Sequence, residues 1–552
     1  MNFRLIIKLL GAVCIAIGVA MAFSIPWAWI GDAKDYNRNG VWGLLISMSI
    51  CFVVGFLFYG IAHNAKMTLF RREAIAVVAF SWIFAAILGA FPYYLSGTQR
   101  AVVVNEQGEK VFVLMSFADS LFESASGFTT TGATVLKDVE KVSRCLLFWR
   151  CSTHFLGGIG IIVLLVAILG QGLGGKAVLR AERSGAPSEG TPHARVQSLA
   201  WSLVGIYLGL NAVLAILLTA LKLSPFDAVC HAFSAMATGG FSTKNASVGY
   251  FIADPQYNGA AIEWVLTFFM FLGGTNFLLF YWCLRGEPQR LFRDTEWRTY
   301  LGFLVAASAL VFFFNVRNCD FDQFGTSDKP ILFQSPQTSD ASNPSVELRN
   351  PPTSYAVRTS VFQVVSLMTS TGFVTDEYEK WNAASVAILL TLMITGACAG
   401  STAGGLKIFR VILCLKMFRG QIEQTYHPTV VRKVWWQKSV VPQELLHQTA
   451  VHIGLYFFLI ILFSLIIAAI ESDSAWIAGN FPVTRKLYDV ISMVLACVGN
   501  IGPGVGMIGA RGNFGGLSEI TKFLLTCAMF LGRLEFFAVF SLFSLRFWKP
   551  QA

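Results

Sequence analysis

The chain has 552 residues, 55% of them hydrophobic and only 13% charged, with a mean hydropathy of +0.59 and a formal net charge of +10. A soluble domain carries about 25% charged residues, so this composition excludes a soluble enzyme and points to a polytopic membrane protein. The positive charge sits in the links between apolar runs and not in one patch, which is the positive-inside pattern and excludes nucleic-acid binding.

In chain order, ten apolar runs are long enough to span: 5–30, 41–61, 74–95, 145–169, 199–221, 260–284, 301–316, 383–418, 449–470 and 520–547. The first exceeds the 7–15 residues of a signal-peptide core and reads as a transmembrane helix. The eighth is too long for one straight span and is interrupted by glycines. The links with Lys66, Arg71 and Arg72, with Lys176, Arg180, Arg183 and Arg195, with Arg285, Arg290, Arg293 and Arg298, and with Lys416, Arg419, Arg432, Lys433 and Lys438 are basic. They share one side, the cytoplasm, with both termini. The outside loop at 317–355 is polar and carries Asp320, Asp322, Asp328 and Asp340. The cysteines form no CxxC pair and include Cys14, Cys51, Cys230, Cys398 and Cys497 inside apolar runs, where they act as small hydrophobes.

Four gaps between spans differ from the rest. Each holds an apolar stretch of half the spanning length, followed by Gly, Ser and Thr, as in a re-entrant helix. With Gly132, Gly240, Gly372 and Gly502 in register, Asp119, Asp227, Thr359 and Asp489 stand thirteen residues earlier. Ser126, Ser234, Ser366 and Ala496 stand six earlier, and Thr130, Thr238, Ser370 and Asn500 two earlier. The next helices share a second pattern: FLGG at 155–158 and 271–274, ITGA at 394–397 and FLGR at 530–533. Two correspondences in one order imply four copies of a helix, pore loop and helix.

Helix-packing glycines account for the GG pairs inside helices. They do not account for a Gly/Ser/Thr cluster after every half-length helix, because non-helical backbone at membrane depth is tolerated only where it is buried or lines water. Backbone carbonyls can replace the water of a dehydrated monovalent cation. Rings of inward carbonyls need positive φ, which Gly adopts cheaply. The filter strings hold no Asp or Glu, which argues against a calcium-type site. An alternating-access carrier would show two inverted repeats, and these four share one orientation. A membrane enzyme would need a catalytic set, and His154, His231 and His452 have none around them.

TTTGAT at 129–134, TGGFST at 238–243, STGF at 370–373, NIGPG at 500–504 and above all GACAGSTAGGLK at 396–407 resemble the Trk/Ktr/HKT superfamily of cation transporters. The two helices before the first repeat and RAE at 180–182 resemble its TrkH branch. The resemblance covers nearly the whole chain.

It implies an all-α polytopic membrane protein of the bacterial inner membrane, with four membrane helix–pore loop–membrane helix repeats around a central pore. Residues 1–68 would hold two extra helices, and the repeats would occupy 69–175, 176–290, 291–425 and 426–552. Potassium would be the transported ion, with no organic cofactor in this chain. The filter would use Thr130, Thr131 and Gly132; Thr238, Gly239 and Gly240; Ser370, Thr371 and Gly372; and Asn500, Ile501 and Gly502. Ile501 and Pro503 make the last quarter the least regular. Glycine at all four positions favours potassium, since Ser at the first marks sodium-preferring relatives; a sodium- or proton-coupled transporter of the same fold is the alternative.

An intramembrane gating loop would comprise Gly396, Ala397, Gly400, Ser401, Thr402, Gly404 and Gly405. The implied assembly is a homodimer with one pore per subunit and a cytosolic, nucleotide-binding, TrkA-like regulatory subunit on the basic links. Arg533 stands out on physical grounds, because it occupies the place of Gly158 and Gly274 inside an apolar helix. A buried Arg there costs at least ~2.5–3.5 kcal/mol and marks a pathway. Pairing with Glu535 is the structural alternative.

Overall fold

The computed structural model describes residues 1–29, 38–64, 71–104, 110–171, 192–318, 353–430, 432–437, 439–479, 481–534 and 536–548. Residues Lys66, Lys176, Arg180, Arg183 and Lys438 of the basic links, the acidic part of the 317–355 loop and Glu535 lie outside them. The chain forms two compact units, Met1–Asn245 with Asn513–Ala552, and Ala246–Gly512. Six described helices are long and apolar enough to cross a membrane: Phe3–Ala28, Asn39–Ile61, Arg72–Leu95, Ser198–Ala220, Thr295–Asn315 and Gln443–Ile470.

In the first unit, the helix Phe3–Ala22 starts where the Asn2 side chain accepts the Leu5 N–H at 3.2 Å. It packs on Arg38–Ile61 through small residues: a Cβ on Gly11 would lie 2.8 Å from the Gly55 carbonyl oxygen. Such close backbone approach replaces the hydrophobic drive that lipid cannot supply. After Arg71–Leu95 comes a two-stranded antiparallel hairpin, Gln99–Val104 with Lys110–Leu114, which the sequence pattern did not indicate. The half-length helix Phe117–Phe128 follows, 12 residues or about 18 Å long, too short for a ~30 Å hydrocarbon core. Then come Arg144–Gln171, Pro192–Ala220 and the second half-length helix, Pro225–Met236. The unit closes with Glu519–Leu534, Phe536–Phe543 and Leu545–Trp548, so the run at 520–547 is not one helix; Ser544 lies outside any helix.

The second unit departs further from ten straight spans. The run at 260–284 is two helices, Gly259–Gly273 and Phe277–Leu284, bent by 96°. The run at 383–418 is broken as its glycines imply, into Ala383–Ile394 and Ile408–Tyr426. Between the runs at 260–284 and 383–418 stand Thr295–Asn318 and the third half-length helix, Thr353–Met368. A small hairpin, Trp435–Trp436 with Ser439–Val440, precedes Gln443–Ile470 and the fourth half-length helix, Lys486–Val498.

Candidate functional site

The four half-length helices end in the same way. Thr131 N–H donates to the Ser126 carbonyl at 2.8 Å, and Thr130 N–H to Gly127 at 3.0 Å. In the second repeat Gly239 donates to Ser234 at 2.8 Å and Thr238 to Ala235 at 3.0 Å. In the third, Thr371 donates to Ser366 at 2.8 Å and Ser370 to Leu367 at 3.1 Å. In the fourth, Ile501 donates to Ala496 at 2.9 Å and Asn500 to Cys497 at 3.2 Å. These are paired six-to-one and five-to-two bonds, the Schellman ending, which requires a left-handed residue just past the helix. Thr130, Thr238, Ser370 and Asn500 supply it at φ of 51°, 53°, 54° and 52°.

Two residues later φ is positive again, at 80°, 78°, 79° and 95° for Gly132, Gly240, Gly372 and Gly502. A Cβ on Gly132 would lie 2.0 Å from the Gly239 carbonyl oxygen. One on Gly372 would lie 2.0 Å from the Ile501 carbonyl oxygen. Each unit thus brings two of the predicted glycine turns together, with a carbonyl of one turn against the glycine of the other.

The turns are braced by residues outside the glycine strings. Glu123 and Arg150 are buried and paired at 2.6 Å. Glu123 also accepts the Val135 N–H at 2.9 Å, and Arg150 donates to the Ser242 carbonyl at 3.1 Å. One ion pair therefore holds the strands leaving both turns of the first unit. Their signal in the sequence is a charge inside an apolar run. His154 packs on the second turn: its ring stacks on Phe241 with centroids 4.0 Å apart, and a Cβ on Gly239 would meet it at 2.5 Å. His231 lies 3.0 Å from Ser242 Oγ and 2.8 Å from the Asp227 carbonyl, tying half-helix to exit strand. In the second unit the irregular fourth turn is held from outside. Glu379 accepts from Gly506 N–H at 2.9 Å and Ala510 N–H at 2.8 Å, and Tyr378 donates to the Gly504 carbonyl.

The predicted gating residues form a loop stitched on three sides, all within the second unit. Gly396 N–H donates to the Leu406 carbonyl at 2.8 Å, closing the loop on itself. Cys398 N–H donates to Gly274 at 3.1 Å, Thr402 N–H to Gly273 at 3.2 Å, and Phe277 N–H to Gly400 at 3.0 Å. The loop thus fills the break in the Gly259–Leu284 run. On the third side, Gly404 N–H donates to Ser370 Oγ at 2.6 Å, and a Cβ on Gly404 would lie 2.6 Å from the Gly499 carbonyl oxygen. Ala397 and Thr402 are fully buried and Ser401 nearly so. Gly400 and Gly405 have φ of 76° and 69°.

Arg533 belongs to the first unit, in Glu519–Leu534, and is 4% exposed. Its three guanidinium nitrogens are buried and have no hydrogen-bond partner among the described residues. A buried cation that lacks a partner is costly wherever it is only structural.

The family model described as "TrkH: Cation transport protein" matches residues 98–550. The chain is 30% identical to the Trk system potassium uptake protein TrkH of Halomonas elongata, with all of both chains covered. It is 28% identical to the TrkH protein of Escherichia coli strain K12, again over the full length of both. The solved crystal structure of the potassium transporter TrkH from Vibrio parahaemolyticus superposes with a TM-score of 0.78, at 25% identity and full coverage of both chains.

Proposed function

Because the chain belongs to the TrkH family of cation transport proteins, a family of transporters and not of enzymes, we propose that it takes up potassium through a filter built from its four glycine turns. It is a multi-pass protein of the bacterial inner membrane. Residues 130–132, 238–240, 370–372 and 500–502 supply the carbonyls, one turn from each of the repeats at 69–175, 176–290, 291–425 and 426–552. The observation that supports this most is the shared backbone: positive φ at alternate residues in all four turns. Alternating the sign of φ swings successive peptide planes toward one side, as a carbonyl-lined filter needs. The half-length helices end at these turns, and a helix C-terminus carries about half a negative charge that favours a cation.

The loop at 396–405 is the gate in this reading, and Arg533 is the charge a cation must pass. What supports the gate is its composition, its place in the repeat register and its non-helical backbone. What supports Arg533 is its buried guanidinium, without a hydrogen-bond partner among the described residues. The protein works as a homodimer, and a cytosolic nucleotide-binding subunit of the TrkA kind acts on the basic links.

The test is ion uptake into proteoliposomes. Gly132→Ser must accommodate a Cβ against the Gly239 carbonyl, so it distorts the ring. The ratio of potassium to sodium uptake is expected to fall roughly tenfold, equivalent to ~1.4 kcal/mol. A folded variant with the parental ratio would refute the filter assignment.

A further inference from the structure

We infer that Glu296 is the positioning residue of the 396–405 loop, a clamp that sets how readily the loop leaves its described form. The inference rests on the gate reading above for its consequence in flux, though not for its geometry. One carboxylate oxygen, Oε1, accepts two backbone N–H groups: Ala399 at 2.7 Å and Phe409 at 3.1 Å. Ala399 lies within the loop, and Phe409 lies in the first turn of the helix that follows it. The clamp therefore grips the loop and its exit together.

The side chain sits where this matters. Glu296 is 6% exposed, so its hydrogen bonds do not exchange freely with water. The helix Ile408–Tyr426 starts at Lys407 without a side-chain cap of its own. Glu296, from the first turn of Thr295–Asn318, provides that cap from another helix. A carboxylate at a helix N-terminus is stabilised by the exposed N–H groups and the helix dipole. If the loop swings, Ala399 N–H is withdrawn and the cap is left with half its bonds.

The clamp also has a handle on the cytosolic side. Gln437 Nε2, in the turn of the Trp435–Val440 hairpin, donates to Asp294 Oδ2 at 3.0 Å, two residues before Glu296. Trp436 meets the Phe409 ring edge-on with centroids 4.8 Å apart. Lys416 Nζ donates to the Trp435 carbonyl at 2.6 Å. The hairpin thus holds both the segment that carries the clamp and the helix that it grips. Displacing the hairpin shifts Asp294 against Phe409 and loads the bonds of Glu296. A force applied to the basic link at 432–437 reaches the loop by this route.

The experiment uses the full-length protein in proteoliposomes, with resting rubidium uptake and hydrogen exchange of residues 396–410 as separate readouts. Glu296→Ala removes a buried acceptor of two bonds, so resting uptake should rise roughly tenfold and the Ala399 and Phe409 amides should exchange faster. Glu296→Gln keeps the oxygen and should restore most of the parental behaviour. In a variant lacking residues 400–403, Glu296→Ala should change uptake less than twofold, because the clamped loop is already gone. Unchanged exchange at both amides in folded Glu296→Ala overturns the clamp, as does an equal effect in both backgrounds. If Glu296→Ala does not fold, Glu296→Asp, one methylene shorter and unable to reach both amides, is read in its place. Parental uptake in the variant lacking 400–403 would sink the gate reading alone, and the exchange readout would still decide the clamp.

Discussion

The helix Arg144–Gln171 runs unbroken through Gly157 and Gly158, whereas the run at 260–284 carries the same FLGG string and turns by 96° just after it. Glycine pairs alone therefore do not break these helices. Close packing does not separate the two cases, since a Cβ on Gly274 would lie 2.5 Å from the Tyr300 hydroxyl. A Cβ on Gly157 would lie 2.1 Å from the Phe128 carbonyl oxygen, and one on Gly158 would lie 2.5 Å from the Tyr207 hydroxyl. In the second, the backbone groups freed by the break find partners in the 396–405 loop, which is itself broken backbone. Two breaks that satisfy each other's N–H and C=O groups are affordable at membrane depth where one is not.

The fourth repeat carries Arg533 at the position of Gly158, Gly274 and Ala397, so it tests the comparison most severely. At ~5 Å and an effective dielectric of ~20, a fixed guanidinium raises the energy of a passing monovalent cation by on the order of 3 kcal/mol. Arg533→Ala should leak rubidium at rest, roughly a hundredfold above parent. Arg533→Lys should keep much of the barrier, because it keeps the charge and loses only the fork of donors. If folded Arg533→Ala stays tight at matched protein levels, this position is not the barrier, and the four repeats do not share a functional axis there.

A smaller effect separates packing glycines from free ones. Gly157→Ala should lower the thermal midpoint by an amount equivalent to ~1–3 kcal/mol, because the new Cβ meets backbone that cannot yield. Gly420, in the helix Ile408–Tyr426, has nothing within 4 Å of an added Cβ. Gly420→Ala should therefore stabilise by up to ~1 kcal/mol through helix propensity alone. Equal midpoints for the two variants would show that packing does not constrain Gly157.

Asn276 sharpens the other side of the comparison. Its Oδ1 accepts the Leu278 N–H at 2.9 Å and caps Phe277–Leu284. Asn276→Ala should cost about 1 kcal/mol and speed hydrogen exchange at 274–278, leaving 155–158 unchanged.

What was legible in the sequence was whatever is local. The register from Asp119 to Gly132 and its three copies lies within one helix and its turn, so spacing alone revealed it. The bend at Gly274–Asn276 was not legible, because the same string at 155–158 stays helical; its cause lies more than a hundred residues away in Gly400 and Thr402. Glu123 and Arg150 were missed for a similar reason. Each is a charge inside an apolar run, and only the fold makes them a pair. The left-handed residue two before each glycine was aligned in the sequence but not understood, since positive φ was expected of glycine and not of Thr, Ser or Asn.

That last point yields the finest prediction, because the same left-handed position is used differently in the two units. Thr130 is held at φ 51°, and its Oγ1 is buried with no hydrogen-bond partner among the described residues. Its methyl packs where a Cβ on Gly157 would come within 2.9 Å. Thr130→Gly removes about 1–2 kcal/mol of left-handed strain but loses the methyl contact and gains chain entropy when unfolded. These terms nearly cancel, so the midpoint should move by less than the equivalent of ~1 kcal/mol. Ser370 has the same φ within a few degrees, yet its Oγ accepts from Gly404 N–H at 2.6 Å and donates to the Thr369 carbonyl at 2.7 Å. Ser370→Gly relieves the same strain and abandons a buried N–H of the loop, a penalty of ~1–3 kcal/mol. It should destabilise the protein where Thr130→Gly does not, and it should raise resting rubidium uptake, because the turn and the loop are then no longer tied. If both substitutions behave alike, the hydroxyl at this position serves the turn and not the loop, and the third repeat couples to the 396–405 segment only through the break at Gly274.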